Sequence, residues 1–312
     1  MSCKFCEFYR KQGDAGAYTR DMDYVREEVR RAVESGATEM HSVGGLHPYL
    51  PFSYYTDLVG TIRDTARLLG SDLHVKAFTA VEVVHLARIA KQYKGANAPG
   101  EEGRQARREG IRWVLSQLKD AGLGSLPGGG AEVFDDRVHD EAYKGKIRSD
   151  VWLDVHRVAH EVGLNTNATI LYGHIEQRHD RLMHMDMLRR AQDEALARVF
   201  GEAASGAGSE EATTPRSDAG IKSASTGETE DLARSEGGHL GYREHDGDAP
   251  VHTMTRPGAR LPGGEPMSPA SLRRAVAASG FGYYQTIIPL PFFPDGSELE
   301  HLPGPTGLEN LR

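Results

Sequence analysis

The stretch LHVKAFTAVEVVHLARIA, residues 73–90, decides the fold of this chain. Its first part, 73–79, is mostly apolar with β-branched and aromatic side chains, which predicts a short buried strand. Its second part, 80–90, places apolar side chains at helical spacing, which predicts a helix directly after the strand. A strand followed at once by a helix is the repeating unit of a parallel sheet covered by helices.

The same unit recurs along the chain. Further strands are predicted over 37–45, 123–134, 165–176 and 282–293. Helices are predicted over 21–35 and 180–200, before Gly122, and after the N-cap candidates Ser53, Ser149 and Ser268. Because the chemically distinctive residues follow the strands, as in barrel enzymes, we expect an α/β fold built as a partial or TIM-like (β/α) barrel, with parallel strands and outer helices.

The composition bounds the class of protein. Hydrophobic residues make up 38% of the 312 residues and charged residues 26%, as in a globular domain. The formal net charge of −8 argues against nucleic acid, which would require a basic surface. No apolar run reaches the roughly 18 residues of a membrane span, and no secretory leader is visible. We therefore expect a cytoplasmic protein without a membrane partner.

Residues 201–267 differ from the rest of the chain. They are rich in Gly, Ala, Ser, Glu and Asp and carry few large apolar side chains. Such a segment buries too little surface to offset its chain entropy. We expect a disordered, low-complexity insertion at 201–267, and one barrel domain formed by 1–200 and 268–312.

The two cysteines, Cys3 and Cys6, form a CxxC pair near the start of the chain. This spacing is compatible with half a zinc site, a redox-active dithiol or part of an iron–sulfur site. A zinc site would need a second ligand pair, and the chain has no other cysteine. The spacing alone leaves these three chemistries open, beside the alternative of two unligated surface thiols.

Several polar residues follow or lie within the predicted strands. Glu132 comes directly after a glycine-rich turn, where it is a plausible acceptor for a hydroxyl group or a solvated loop carboxylate; the turn lacks the Lys-Ser/Thr of a P-loop. Burying Lys76 would require an anionic partner, for example a substrate carboxylate. Asn165, Asn167 and Thr169 share one strand face, which indicates either a wet barrel interior or a satisfied polar network.

Histidine and tryptophan residues on the helix after Ser149 have a simpler interpretation. His156 and His160 lie four residues apart, a spacing that could bind a metal, but the surrounding pattern is that of an ordinary amphipathic helix. We therefore expect both histidines to be structural, and Trp152 to belong to the core.

Six blocks of sequence, in order, carry a family resemblance. They are CKFCEFYR, VGGLHPYLPFSYY, VKAFTAVEV, LGSLPGGGAEVF, WLDVHRVAHEVGLNTNATILYGHIE and HLPGPTGLENLR. Together they resemble the aminofutalosine synthases, radical S-adenosylmethionine (SAM) enzymes of the futalosine route to menaquinone. The resemblance covers the chain except 201–267, and it implies a radical SAM-type barrel.

The resemblance implies a cofactor and a reaction. The family binds a [4Fe–4S] cluster through CxxxCxxC and uses SAM as a co-substrate. Its 5′-deoxyadenosyl group is added to 3-[(1-carboxyvinyl)oxy]benzoate, giving 6-amino-6-deoxyfutalosine, methionine and bicarbonate. The electron would come from a donor such as flavodoxin or ferredoxin. Cys3 and Cys6 match the second and third cysteines of the motif, so we expect a chain truncated at its N-terminus, and also at its C-terminus.

The resemblance also implies roles for individual residues. Those expected to bind SAM are Phe5, Gly44, Gly45, Glu132, Tyr172, Gly173 and Glu176. Phe5, Tyr172, Gly173 and Glu176 would lie near the adenine, Glu132 would bind the ribose, and the glycine pair the amino group. Leu46 stands where many radical SAM enzymes have Glu. The candidates for binding the substrate carboxylates are His47, Lys76 and His174.

Three alternatives remain open. Cyclic dehypoxanthinylfutalosine synthase shares LPGGGAE and YGH, although FTAVE at 78–82 favours the aminofutalosine synthases. Deazaflavin cofactor synthases are a further alternative among enzymes. A non-catalytic module that binds zinc or SAM is the alternative outside catalysis.

Overall fold

A single parallel sheet organises the chain. The computed structural model describes residues 4, 6, 10, 11, 13–201 and 268–302. Its strands are β1 (Glu39–Ser42), β2 (His74–Ala77), β3 (Ser125–Leu126), β4 (Asn165–Tyr172) and β5 (Tyr284–Pro291). Each strand pairs with the next along the chain, in parallel, in the order β1-β2-β3-β4-β5. An unreversed order is the winding of a barrel, which confirms the predicted barrel-type α/β fold.

Helices connect the strands and cover one side of the sheet. They are α1 (Met22–Glu34), α2 (Phe52–Leu68), α3 (Ala80–Ile89), α4 (Gly100–Ala121), α5 (Asp136–Ala142), α6 (Ser149–Glu161), α7 (Arg178–Val199) and α8 (Pro269–Ser279). The short helix α5 follows the glycine-rich turn and was not predicted. Within the described ranges, no helix is long and apolar enough to cross a membrane.

Of the three predicted N-cap residues, one is the N-cap of its helix in the structure and two are not. Ser268 caps α8 by accepting the backbone N–H of Ser271, as predicted. The predictions for Ser53 and Ser149 are wrong, because both residues lie inside the first turn of their helices. At α2 the fixed, extended backbone of Pro51 places the N-cap two residues earlier than predicted.

Alternation along the strands separates an apolar side from a polar side. On β2, Val75 and Ala77 are buried in the main core beneath the helices, while His74 and Lys76 lie on the opposite side because side chains alternate along a strand. Trp152 of α6 is fully buried in this core, as expected.

A second apolar cluster lies where the strands end. Its largest members come from the loop after β3, from α5, from the end of β4 and from the segment after β5: Val133, Tyr143, Ile170, Leu171, Phe292 and Leu299. The cluster fastens these segments to one another, so the loops at this edge of the sheet rest on packed side chains. The predicted insertion at 201–267, apart from Gly201, lies outside the described residues, as do Cys3 and Phe5.

Candidate active site

Because all five strands are parallel, their carboxyl ends meet at one edge of the sheet, here called the carboxyl edge. Two residues at this edge have a left-handed backbone that is unusual for side chains other than glycine. Phe78, directly after β2, has a φ of 63°, and Glu132, in the loop after β3, has a φ of 45°. Such strain clusters at functional sites, which makes the carboxyl edge the candidate site.

The segment that contains Lys4 and Cys6, here called the cysteine segment, is bound to the carboxyl edge by main-chain hydrogen bonds. The N–H of Lys4 donates to the carbonyl of Ala142 at 3.1 Å, at the end of α5. The carbonyl of Lys4 accepts the N–H of Glu298 at 2.8 Å, in the segment after β5. These two bonds hold Lys4, and the Cys6 that follows it, beside the loops after β3 and β5.

Cys6 is a free, half-buried thiol. Thiolates are the protein ligands of iron–sulfur clusters, so the chemistry and position of Cys6 fit a cluster at the carboxyl edge. Within residues 13–201 and 268–302 and the few described residues before them, no group of three His, Cys, Asp or Glu side chains could hold a metal ion. Cys3, the other predicted ligand, is outside the described residues.

The glycine pair after β1 is held by a carboxylate that the sequence analysis missed. The N–H of Gly44 donates to Oε1 of Glu82 at 2.8 Å. The other oxygen, Oε2, accepts the N–H and the hydroxyl of Thr79 at 2.8 and 2.9 Å. The pattern Thr-x-x-Glu at 79–82 is a capping box and could have identified Glu82 as a helix-start residue, but not its bond to Gly44.

Glu132 is a buried carboxylate at the end of the glycine-rich turn. Its Oε1 accepts Nζ of Lys146 at 2.5 Å, and the side chains are 9% and 14% exposed. The carbonyl of Glu132 accepts the N–H of Leu171 at 3.0 Å, so the turn is also joined to the end of β4. Glu132 is therefore rigidly held and charge-paired, unlike a solvated loop carboxylate.

The residues after β4 form a closed hydrogen-bonded turn. Glu176 accepts the N–H of Gly173 at 2.7 Å and the N–H of His174 at 2.9 Å. Arg181 donates to the same carboxylate at 2.7 Å. The side chain of Glu176 is 1% exposed and holds the backbone next to Tyr172 and Gly173. The predicted contacts with the adenine would therefore be made by this backbone rather than by the Glu176 side chain.

His174 presents a buried nitrogen without a partner. Its Nε2 lies 3.1 Å from the carbonyl of Leu171, so Nε2 carries the proton and donates. Its Nδ1 forms no hydrogen bond within the described residues and lies 3.6 Å from Oε2 of Glu176. Burial lowers the pKa of His174, which favours the neutral ring; a substrate carboxylate would therefore require protonation of Nδ1.

The other two carboxylate candidates lie apart from this turn. Lys76 pairs with Glu39 at 2.9 Å, so the chain itself supplies the anionic partner that a buried Lys76 needs. Nδ1 of His47 accepts the N–H groups of Tyr49 and Leu50, at 3.2 and 3.1 Å. This leaves Nε2 as the protonated nitrogen of the neutral His47 ring.

The polar strand residues form a largely satisfied network. Thr169 donates to the carbonyl of Gly128 at 2.7 Å, and Oδ1 of Asn165 accepts the N–H of Tyr283 at 3.3 Å. Asn167 lies between them and is 7% exposed. The expectation for the two helical histidines is confirmed, since His160 bonds to Thr166 at 2.9 Å and His156 is fully buried.

Comparison with known proteins gives a family match. A family model described as the Radical SAM superfamily matches residues 1–188. The match includes the cysteine segment, the glycine pair after β1, the glycine-rich turn and the turn after β4.

Curated relatives fall into more than one enzyme class. Aminodeoxyfutalosine synthase of Thermus thermophilus is 43% identical over 62% of this chain and 46% of its own length. A 5-amino-6-(D-ribitylamino)uracil–L-tyrosine 4-hydroxyphenyl transferase of Methanopyrus kandleri is 36% identical over 62% of this chain and 46% of its own length. FO synthase of Nocardia farcinica is 36% identical over 62% of this chain and 20% of its own length. The chain spans about half or less of these relatives.

Proposed function

The chain belongs to the radical SAM superfamily, and from that premise we propose that it transfers the 5′-deoxyadenosyl group of SAM to 3-[(1-carboxyvinyl)oxy]benzoate. Enzymes of this superfamily use a [4Fe–4S] cluster and SAM. The observation that carries the proposal is the pair of main-chain bonds of Lys4, which brings the cysteine segment to the edge where the glycine pair, Glu132 and the turn after β4 lie. Together with one molecule of water, these substrates would give 6-amino-6-deoxyfutalosine, methionine and bicarbonate.

Cys3 and Cys6 are the thiolates of this chain that would hold the cluster. When bound, the cluster supplies the electron that cleaves SAM. The chain's own contribution is to hold SAM and the acceptor in position and to limit the access of bulk water. The second apolar cluster serves the latter need, because Phe292 and Leu299 are buried in it and Glu298, the residue before Leu299, donates its N–H to the carbonyl of Lys4.

Three elements of the carboxyl edge would bind SAM. The Gly44–Gly45 loop exposes main-chain groups without side chains in the way, so the amino-acid end of SAM can approach the backbone. Glu132, which is paired with Lys146, would accept the ribose hydroxyls. The turn closed by Glu176 offers backbone groups to the adenine edge.

The acceptor carries two carboxylates, so it requires cationic or hydrogen-bond-donating partners. Lys76 has further N–H groups beyond the one facing Glu39, and Nε2–H of His47 is available to donate. His174 would bind a carboxylate through a protonated Nδ1. These three roles follow from the side-chain chemistry and remain proposals.

The aminofutalosine reaction is favoured over the other reactions of similar relatives by the identity of 43% to an aminodeoxyfutalosine synthase, against 36% for the 4-hydroxyphenyl transferase and FO synthase named above. The FTAVE segment, residues 78–82, separately favours this reaction over that of cyclic dehypoxanthinylfutalosine synthase. It contains Phe78, Thr79 and Glu82, which shape the loop after β2.

A product assay tests the proposal. The chain is reconstituted anaerobically with iron and sulfide, reduced with dithionite, and given SAM with either 3-[(1-carboxyvinyl)oxy]benzoate or tyrosine plus 5-amino-6-(D-ribitylamino)uracil. Mass spectrometry of the first mixture should show an adduct of the adenosyl group and the benzoate skeleton. Products from the second mixture alone would contradict the proposed substrate and support the 4-hydroxyphenyl transferase class.

A further inference from the structure

Glu82 is a buried carboxylate whose three hydrogen-bond donors are all neutral. The residue is 6% exposed. Two donors come from Thr79 at the start of α3, and the third is the N–H of Gly44, 38 residues away. The carboxylate of a capping box accepts hydrogen bonds at the start of its own helix. The bond from Gly44 is additional to these, and it connects the segment after β1 to the segment after β2.

No cation offsets the charge of Glu82 within the part of the chain that the structure describes. Burial raises its pKa to about 7, against the lowering effect of its hydrogen bonds. Tyr55 of α2 faces it as a titratable group, and burial together with the charge of Glu82 raises the pKa of Tyr55 to about 12. The hydroxyl of Tyr55 is buried and has no hydrogen-bond partner among the described residues.

We propose that Glu82 is a positioning residue for the Gly44–Gly45 loop, and that its ionised carboxylate couples the conformation of this loop to the binding of a cationic co-substrate. The inference rests on the proposed function for one step only, the assignment of SAM to this loop. The bond from Gly44 to Glu82 is present in the structure independently of that assignment.

The charge of Glu82 sets the direction of the coupling. The ionised carboxylate accepts the N–H of Gly44 strongly, whereas a protonated carboxyl group accepts it more weakly. SAM carries a sulfonium and an ammonium group against one carboxylate, so it binds better next to an ionised Glu82. Proton release from Glu82 therefore favours SAM binding, and affinity should rise with pH around the pKa of this group.

The first test observes Gly44 without any ligand. The protein is labelled with ¹⁵N-glycine, and the Gly44 amide signal is identified by its loss in Gly44→Ala. That substitution fits sterically, because an added Cβ would meet only Oε1 of Glu82, at 3.9 Å. The Gly44 amide shift should titrate with a midpoint near the pKa of Glu82, about 7, and should not titrate in Glu82→Gln.

A matched control separates this role from helix capping. Asp180 is also a buried carboxylate in a capping box after a strand, but it pairs with Arg137 at 2.9 Å and does not contact the Gly44–Gly45 loop. Asp180→Asn should keep the Gly44 titration. Glu82→Asp retains the charge on a shorter side chain and should keep the titration with a smaller amplitude. A Gly44 shift that is constant with pH, or that titrates equally in Glu82→Gln, overturns the proposal.

SAM binding distinguishes failure of this inference from failure of the proposed function. If only the ionised form binds well, the dissociation constant should fall about tenfold between roughly pH 6 and pH 8. Groups of SAM itself titrate alike in every variant, so the difference between wild type and Glu82→Gln isolates Glu82. SAM binding with equal pH dependence in both proteins overturns the coupling and leaves the proposed function intact, whereas absence of SAM binding in all variants contradicts both.

Discussion

Lys146 donates a hydrogen bond to the carboxylate of Glu132 at 2.5 Å, across the loop that follows β3. The two side chains are largely buried, and Glu132 has a left-handed backbone with a φ of 45°. The left-handed backbone of Glu132 costs conformational free energy, and such strained residues cluster at functional sites. We therefore propose that this pair acts on a ligand.

Replacement of Glu132 by Gln should weaken SAM binding. The change removes a charge-assisted acceptor for the ribose hydroxyls, and the dissociation constant should rise roughly tenfold or more. Equilibrium binding of SAM provides the measurement. Glu141→Gln serves as the control, because Glu141 is 56% exposed and pairs weakly with Arg137. Unchanged SAM affinity in Glu132→Gln would remove Glu132 from the site.

Replacement of His174 by Gln should affect the acceptor substrate rather than SAM. Gln can still donate to the carbonyl of Leu171 but cannot offer a protonated ring nitrogen. The KM for 3-[(1-carboxyvinyl)oxy]benzoate should rise roughly tenfold while SAM affinity stays constant. His179→Gln, on an exposed residue of α7, should change neither quantity. Equal loss of SAM affinity in His174→Gln would instead assign this residue to the SAM site.

Replacement of Gly128 by Ala should destabilise the protein strongly. An added Cβ would overlap the backbone of Ala168 on β4, and the turn that follows β3 would have to move away from β4 to accommodate it. The expected loss is about 3 kcal/mol in the free energy of unfolding. Gly44→Ala is the matched control, since its Cβ meets only Glu82 at 3.9 Å. Equal denaturation midpoints for the two variants would refute the close contact between Gly128, in the turn after β3, and Ala168 on β4.

The ionisation of Glu82 should lower the free energy of unfolding as the pH rises from acid to neutral. Its pKa in the folded protein, about 7, lies above the ordinary value of 4.5 for a glutamate, so between these values the folded state binds more protons than the unfolded state. Stability attributable to Glu82 is therefore lost with increasing pH across this window, by up to about 1.4 kcal/mol per pH unit. Above pH ~7 the contribution is constant.

Urea denaturation of wild type and Glu82→Gln at several pH values measures this contribution. The stability of Glu82→Gln relative to wild type should increase between pH ~4.5 and pH ~7. Thr79 and Gly44 lose part of their hydrogen bonding in this variant at every pH. The change with pH of the difference in unfolding free energy, rather than its absolute size, therefore measures the ionisation of Glu82. A pH-independent difference would show that Glu82 ionises normally.

The sequence predicted the fold because strand and helix periodicities are local properties. The 73–90 unit, the N-cap at Ser268 and the burial of Trp152 all follow from spacing and side-chain chemistry. β3 is shorter than expected, only Ser125–Leu126, because Pro127 lacks an N–H for the sheet and the glycines after it turn the chain away.

The missed features depend on partners distant in sequence. Nothing local indicates that Glu82 reaches Gly44, or that Lys76 finds Glu39 on the neighbouring strand. The same holds for the Lys4 main chain, which bonds to α5 and to the segment after β5. Periodicity identifies which residues stand at strand ends, whereas the register of the sheet and the loop paths decide which of them meet.

The fate of the 5′ carbon of SAM tests the central claim most directly. The reconstituted chain is incubated with SAM labelled with ¹³C at that carbon and with 3-[(1-carboxyvinyl)oxy]benzoate, and the products are analysed by mass spectrometry and ¹³C NMR. We predict that the label appears in 6-amino-6-deoxyfutalosine, bonded to a carbon of the acceptor, and that Cys6→Ser gives no product. Label found only in free 5′-deoxyadenosine would contradict adenosyl transfer and indicate hydrogen abstraction from a different substrate.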